Sequence, residues 1–127
     1  MSQRIISTEN APGAVGPYSK GCIGGKLLFI SGQLPIDVKT GELEQDDIRK
    51  ATQLCMSNLL AIAKAGHQSA HLVKVNIFLT SMVDFAAVNE IYATFFDAEP
   101  PARACVEVSG LPKGAKIEIE GIAVLPE

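Results

Sequence analysis

A single arginine interrupts an otherwise apolar run, Pro101-Ala102-Arg103-Ala104-Cys105-Val106-Glu107-Val108, and two glutamates recur two residues apart shortly after it, in Lys116-Ile117-Glu118-Ile119-Glu120. A guanidinium can grip a carboxylate with two parallel hydrogen bonds, and a neighbouring glutamate can hold or activate water. The two segments together suggest hydrolysis of a small molecule that carries a carboxylate. Strand alternation places Arg103, Cys105 and Glu107 on one face, and Glu118 and Glu120 on one face of the next strand. Whether those faces coincide depends on register, since a one-residue slip sends Arg103 and Glu118 to opposite sides. Residue types alone also allow a solvated salt-bridge face, worth at most about 1 kcal/mol.

Three further positions bear on that choice. Asn89 lies beside the apolar stripe formed by Phe85 and Tyr92, where a side-chain amide needs a partner, either neighbouring backbone or a ligand. Ser31-Gly32-Gln33 ends an apolar strand, and glycine there permits close approach of the backbone to a ligand or makes a simple turn. Tyr18 follows a Pro/Gly-rich stretch and can offer its hydroxyl to a pocket or merely pack. His67 and His71 have the spacing of a zinc-binding helix, but glutamine follows His67 where a catalytic glutamate belongs, Gly66 ends the helix, and no third ligand lies nearby. A metal site is therefore not expected. Cys105 lacks an adjacent base, so a nucleophilic thiolate is not expected either.

The elements that must position these groups follow from periodicity. Arg4-Ile5-Ile6-Ser7 is a strand candidate, and Asn10 to Pro17 is too rich in Pro and Gly for regular structure; that loop could lie across a site. Strands from Tyr18 to Ile23 and Lys26 to Ser31 flank a hairpin turn at Gly24-Gly25. Asp46-Asp47 can cap a helix in which Ala51, Cys55, Leu59 and Ile62 recur at helical spacing until Gly66. From His71 to Leu79 the period becomes two, with Val73, Val75, Ile77 and Leu79 on one face and Lys74 and Asn76 opposite. A second helix starts at Asp84, buries Phe85, Val88, Tyr92 and Phe95, and runs toward Pro100-Pro101. Strands from Arg103 to Val108 and Lys116 to Leu125 complete a β-β-β-α-β-α-β-β order. That order predicts an α+β domain with both helices on one face of a mixed sheet. The other face carries Val106, Val108, Ile122 and Val124 besides charges, and self-association is the economical way to cover it.

The 127 residues, 47% of them hydrophobic, make one domain (1–127) able to bury a sizeable core, and the absence of Trp makes that core aliphatic. A net charge of -3 and a pI near 5.4 argue against nucleic acid or an anionic membrane as partner. The first ten residues show no signal-peptide or anchor pattern, and three widely spaced cysteines, Cys22, Cys55 and Cys105, fit reduced thiols. A cytoplasmic protein is expected. Cys22 and Cys55 read as small core residues.

Taken in order, Gly16-Pro17-Tyr18-Ser19, Ser31-Gly32-Gln33-Leu34-Pro35, Thr40-Gly41-Glu42, Asp84-Phe85-Ala86-Ala87-Val88-Asn89 and Pro101-Ala102-Arg103 through Ile117-Glu118-Ile119-Glu120 resemble the reactive intermediate deaminase A family, also known as YjgF/YER057c/UK114. The resemblance spans nearly the whole chain. It implies a chorismate-mutase-like fold, a homotrimer with ligand pockets between subunits, and hydrolysis of enamines and imines such as 2-aminoacrylate, 2-iminopropanoate and 2-iminobutanoate to 2-keto acids and ammonia, without metal or cofactor. Carried over by motif, Arg103 would bind the substrate carboxylate and Glu118 would orient or activate water. Backbone groups of Gly32 and Cys105 would fix the reacting centre, and Tyr18, Ser31 and Asn89 would line the pocket. Glu120 reads as structural. Lys20 stands where the family often has glutamine, which would change the pocket's charge if it points inward, and Ser109-Gly110 replaces a common Ala-Arg. Some members of the wider family have been described as ribonucleases or translation inhibitors, and a ligand-binding module for 2-keto acids is a further alternative.

Overall fold

The structure, a computed structural model, describes residues 4–126. Strands β1 (Ile5–Ile6), β2 (Gly21–Gly24) and β3 (Leu27–Gln33) precede helix α1 (Ile48–Gly66). Strand β4 (His71–Leu79), helix α2 (Phe85–Ala93), and strands β5 (Ala102–Glu107) and β6 (Ile117–Val124) follow. The β-β-β-α-β-α-β-β order and the α+β class are those read from periodicity. The six strands form one sheet in the order β1-β2-β3-β6-β4-β5, antiparallel throughout except for the parallel pair β4 and β5. The last strand is thus inserted at the centre and β5 is left at an edge.

Helix α1 begins where Asp47 accepts hydrogen bonds from the backbone N–H groups of Arg49 and Lys50, at 3.0 and 3.2 Å, satisfying donors that a helix start leaves free. Its stripe of Ala51, Cys55, Leu59 and Ile62 is buried against Leu28 and Ile30 of β3, Ile77 of β4 and Ile117 and Ile119 of β6. Both helices pack on this one face. No helix among the described residues is long and apolar enough to cross a membrane. On the opposite face Phe29 and Val106 remain 46% and 45% exposed.

Four local expectations are corrected. The hairpin turn is Gly25-Lys26, not Gly24-Gly25: Gly24 pairs with Leu27, and Gly25 takes the positive φ of 62° that glycine tolerates without strain. This register sets Ile23 opposite Leu28 instead of opposite Lys26. In β4 a register shift between Leu72 and Lys74 inserts Val73 as an extra residue, so Leu72 turns into the core with Val75, Ile77 and Leu79 while Val73 faces outward. Helix α2 stops at Ala93, well before the prolines, because the Thr94 hydroxyl bonds back to the Ile91 carbonyl and the next N–H groups bond three residues back. Cys55 is a core residue as expected, but Cys22 is half-exposed because it pairs with outward-facing Phe29.

Beyond β3, Leu34 and Ile36 form a second small core with Ala115. Buried Asn58 of α1 pins this segment, its amide donating to the carbonyls of Leu34 (3.3 Å) and Ile36 (3.0 Å). Replacing Asn58 by Ala strands both carbonyls, and urea denaturation should show a loss of about 1–3 kcal/mol. A change within experimental error would show that Asn58 is not the clasp.

Candidate active site

Glu118 and Glu120 point away from the helices, because Ile117, Ile119 and Ala123 of the same strand fill the core. They border an open cavity of about 330 Å³ with Tyr18, Ser31 and Gly32, whose apolar walls are Val15, Leu34 and Pro112. Gly32 leaves room for the Glu118 carboxylate where it stands. A Cβ on it would collide with the Glu118 carboxylate, reaching 2.7 Å from the carboxyl carbon. The Ser31 hydroxyl donates to the Ser19 carbonyl at 2.6 Å and the Ser31 N–H to the Lys20 carbonyl at 2.9 Å, which fixes the Tyr18 segment beside β3. Glu120 is held by the Asn76 amide across the strand pair at 3.0 Å, in keeping with a structural role. Burial pushes the Glu118 carboxyl above its ordinary pKa, and the charge of Glu120 pushes it the same way.

Arg103, Asn89 and Cys105 gather on the other side. Arg103 is opposite Val75 and Cys105 opposite Ile77 in the parallel pair, so both share the helix-facing side of the sheet. The guanidinium lies over the rings of Tyr92 and Phe85, 5.0 and 5.7 Å from their centroids, and donates to Asn89 Oδ1 at 2.8 Å. Stacking and one hydrogen bond aim the group while leaving most of its five N–H donors available. Among the described residues it meets no carboxylate within ion-pair distance, which removes the salt-bridge reading. Glu107, on the same face, instead accepts from the Met82 backbone N–H at 2.8 Å, anchoring the turn before α2. Burial raises the Cys105 thiol pKa despite the opposing pull of Arg103, so the thiol stays protonated at neutral pH.

The register question therefore has a definite answer. β4 separates β5 from β6, and Glu118 is opposite outward-facing Phe78, whereas Arg103 is opposite inward-facing Val75. Arg103 with Asn89 and Cys105, and Glu118 with Tyr18, Ser31 and Gly32, are two half-sites on opposite faces of one sheet. The aromatic pair around Arg103 and the walls at Val15, Leu34 and Pro112 were not anticipated as site groups. Phe85 and Tyr92 read as core positions because their helical spacing is the same for stacking as for packing. Lys20 does not enter the Glu118 cavity; its ammonium donates to the carbonyls of Thr8 and Ala11, at 2.6 and 3.0 Å. His67 caps α1 and accepts from the Ser69 N–H, while His71 opens β4, so the two do not share a helical face.

The family described as Endoribonuclease L-PSP matches residues 8–125. RutC family protein y4sK of Sinorhizobium fredii is 51% identical over 94% of this chain and 96% of its own. TdcF of Escherichia coli, provisionally named a reactive intermediate deaminase, is 44% identical over 96% of this chain and 97% of its own. The crystal structure of that TdcF with bound serine superposes with a TM-score of 0.91 at 43% identity, covering 98% of this chain and all of the other. The E. coli YjgF gene product gives a TM-score of 0.90, also at 43% identity, with 96% and 98% covered.

Because Glu118 holds its proton more tightly in the folded chain than in the unfolded one, stability should fall as pH rises from the unfolded value of about 4.3 through the raised folded value. Above both, the penalty is fully present. Glu118→Gln cannot ionise, so it should melt at a higher temperature than the parent at pH 7 and lose that margin toward pH 4. Calorimetry showing an equal or lower Tm at pH 7 would contradict a partly buried, repelled carboxylate.

Proposed function

Because the chain belongs to the Endoribonuclease L-PSP family, which includes the reactive intermediate deaminases, we propose that it hydrolyses 2-imino acids such as 2-iminobutanoate and 2-iminopropanoate, and their enamine tautomers such as 2-aminoacrylate, to 2-keto acids and ammonia. The observation that carries this reading is the pair of half-sites: a stacked arginine with unused donors, and a carboxylate of raised pKa in a cavity with apolar walls. In one chain they face apart. A complete site forms when the Arg103 half of one copy meets the Glu118 half of another, and the uncovered sheet face with Phe29 and Val106 supplies surface for that contact. Two different surfaces meeting head to tail form a ring where the rotation between copies closes and a filament where it does not, and a homotrimer is the ring proposed. The serine bound in the E. coli TdcF structure is itself a small carboxylate-bearing molecule, consistent with such a site.

In the reaction, Arg103 holds the substrate carboxylate by charge-assisted hydrogen bonds and Cys105 contributes backbone groups. A protonated imine carbon is already electrophilic, so the main task is to place water about 3 Å from it. Glu118, ionised, takes a proton from that water as its oxygen bonds to carbon and the C=N π electrons move to nitrogen. The resulting carbinolamine receives the proton on nitrogen, the C–N bond breaks with loss of ammonia as Glu118 takes the hydroxyl proton and the keto group forms, and Glu118 passes that proton to solvent before the next turnover. Each proton is accounted for without metal or cofactor. Two carboxylates at the cavity and a net charge of -3 oppose the alternative of RNA as substrate.

The direct test generates 2-iminobutanoate in place and follows keto-acid formation. Arg103→Ala should lose at least about 1.5–3 kcal/mol of transition-state stabilisation in kcat/KM. Glu118→Gln should lower kcat with less effect on 2-oxobutanoate affinity, and persistent catalysis with collapsed affinity would make Glu118 a binding residue instead. If sites form between copies, refolding the two variants together in equal amounts should return about a quarter of wild-type activity, because that fraction of interfaces pairs two intact halves. No recovery from correctly assembled mixtures would place the whole site within one chain.

A further inference from the structure

Arg103 is held by Phe85, Asn89 and Tyr92, all on α2, so whatever places that helix also places the guanidinium. The middle of α2 is tied to α1 by Glu90 and Arg49 at 2.8 Å, an ion pair open to solvent. Its start is tied to β5, the strand that bears Arg103. A single 3-10 turn, Met82–Asp84, runs directly into α2 at Phe85. Glu107 Oε1 accepts from the Met82 N–H at 2.8 Å, and the Met82 carbonyl accepts from the Phe85 N–H. Met82 thus links Glu107 to Phe85 through the two polar groups of its own backbone. β5 carries the arginine and, four residues on, grasps the turn that fixes one of the rings over which that arginine lies. The acceptor is supplied to an N–H that a helix start leaves without an intrahelical partner.

We propose that Glu107 is a positioning residue for the carboxylate grip, setting through Met82 and Phe85 where the Arg103 guanidinium stands. The inference rests on the reading above, in which Arg103 binds the substrate carboxylate. Glu107 touches neither substrate nor arginine in this scheme. Because its partner is a neutral backbone N–H, what it contributes is reach and an acceptor oxygen, with its charge secondary.

Three substitutions separate reach from charge, and because Glu107 is exposed none of them disturbs the core. Glu107→Ala removes the acceptor, Glu107→Gln keeps an oxygen at the same reach without the charge, and Glu107→Asp keeps the charge but is one methylene short. In the full-length assembled protein, calorimetric titration with 2-oxobutanoate should give a Kd several-fold higher for the alanine and aspartate variants and close to the parent value for glutamine. The rise caused by Glu107→Ala should disappear in a Phe85→Leu background, where the ring through which it acts is gone; a general loosening of the fold would persist there. Equal Kd values across the series overturn the proposal, as does recovery by aspartate in place of glutamine, or a rise that survives in Phe85→Leu. A wild-type protein that binds 2-oxobutanoate but does not accelerate 2-iminobutanoate hydrolysis overturns the deaminase reading and leaves the Glu107 result standing, whereas one that does not bind 2-oxobutanoate overturns both.

Discussion

Alternation along β6 ties the core to the chemistry. The strand drives Ile117, Ile119 and Ala123 beneath the helices, and the same backbone period obliges Glu118 and Glu120 to face the other way. With β4 and β3 on its two sides, β6 cannot slip by one residue without burying both carboxylates and expelling the core residues. The hydrophobic effect therefore fixes where Glu118 points far more firmly than any contact the carboxylate makes itself. Gly32 on neighbouring β3 then leaves the space that the carboxylate occupies.

Arg103 is governed by the same sheet from its edge. Parallel pairing with β4 turns Arg103 and Cys105 toward the helices, where α2 supplies two aromatic faces and the side-chain Oδ1 of Asn89. The buried position of Val88 and Tyr92 sets the rotation of α2 and hence the direction of Asn89. A short helix suffices for this.

Much of this arrangement was legible in the residues because hydrophobic period is a strong signal where one face is buried: α1 and β4 have the limits that period three-to-four and period two imply. The failures have local causes. Either glycine of Gly24-Gly25 can adopt the turn, and the pairing of Ile23 with Leu28 decides between adjacent registers. Val73 looks like a core residue until the bulge in β4 displaces it, and a bulge leaves no mark on the alternation of Val75, Ile77 and Leu79. The relation of Arg103 to Glu118 was open for a deeper reason: sequence order suggests that their strands are neighbours, whereas β4 lies between them. Asn76 could have been matched with Glu120 only after that order was known.

Separation of the charges has a consequence for selectivity in the proposed site. The Glu118 half, with two carboxylates, favours a cation; the Arg103 half favours a carboxylate. A protonated 2-imino acid carries both charges one carbon apart, so it satisfies both halves, whereas a simple amine or a simple carboxylic acid satisfies one. Linkage then acts on Glu118. At rest its carboxyl is held above its ordinary pKa by burial and by Glu120, but an iminium cation beside it favours ionisation, and the ionised form in turn favours the iminium. Substrate thus helps create the base that will act on its water, and departure of the nitrogen as neutral ammonia removes that cation. With the keto acid in place the carboxyl returns toward its protonated form, and the product, an anion without the nitrogen cation, carries no charge that the acidic half attracts.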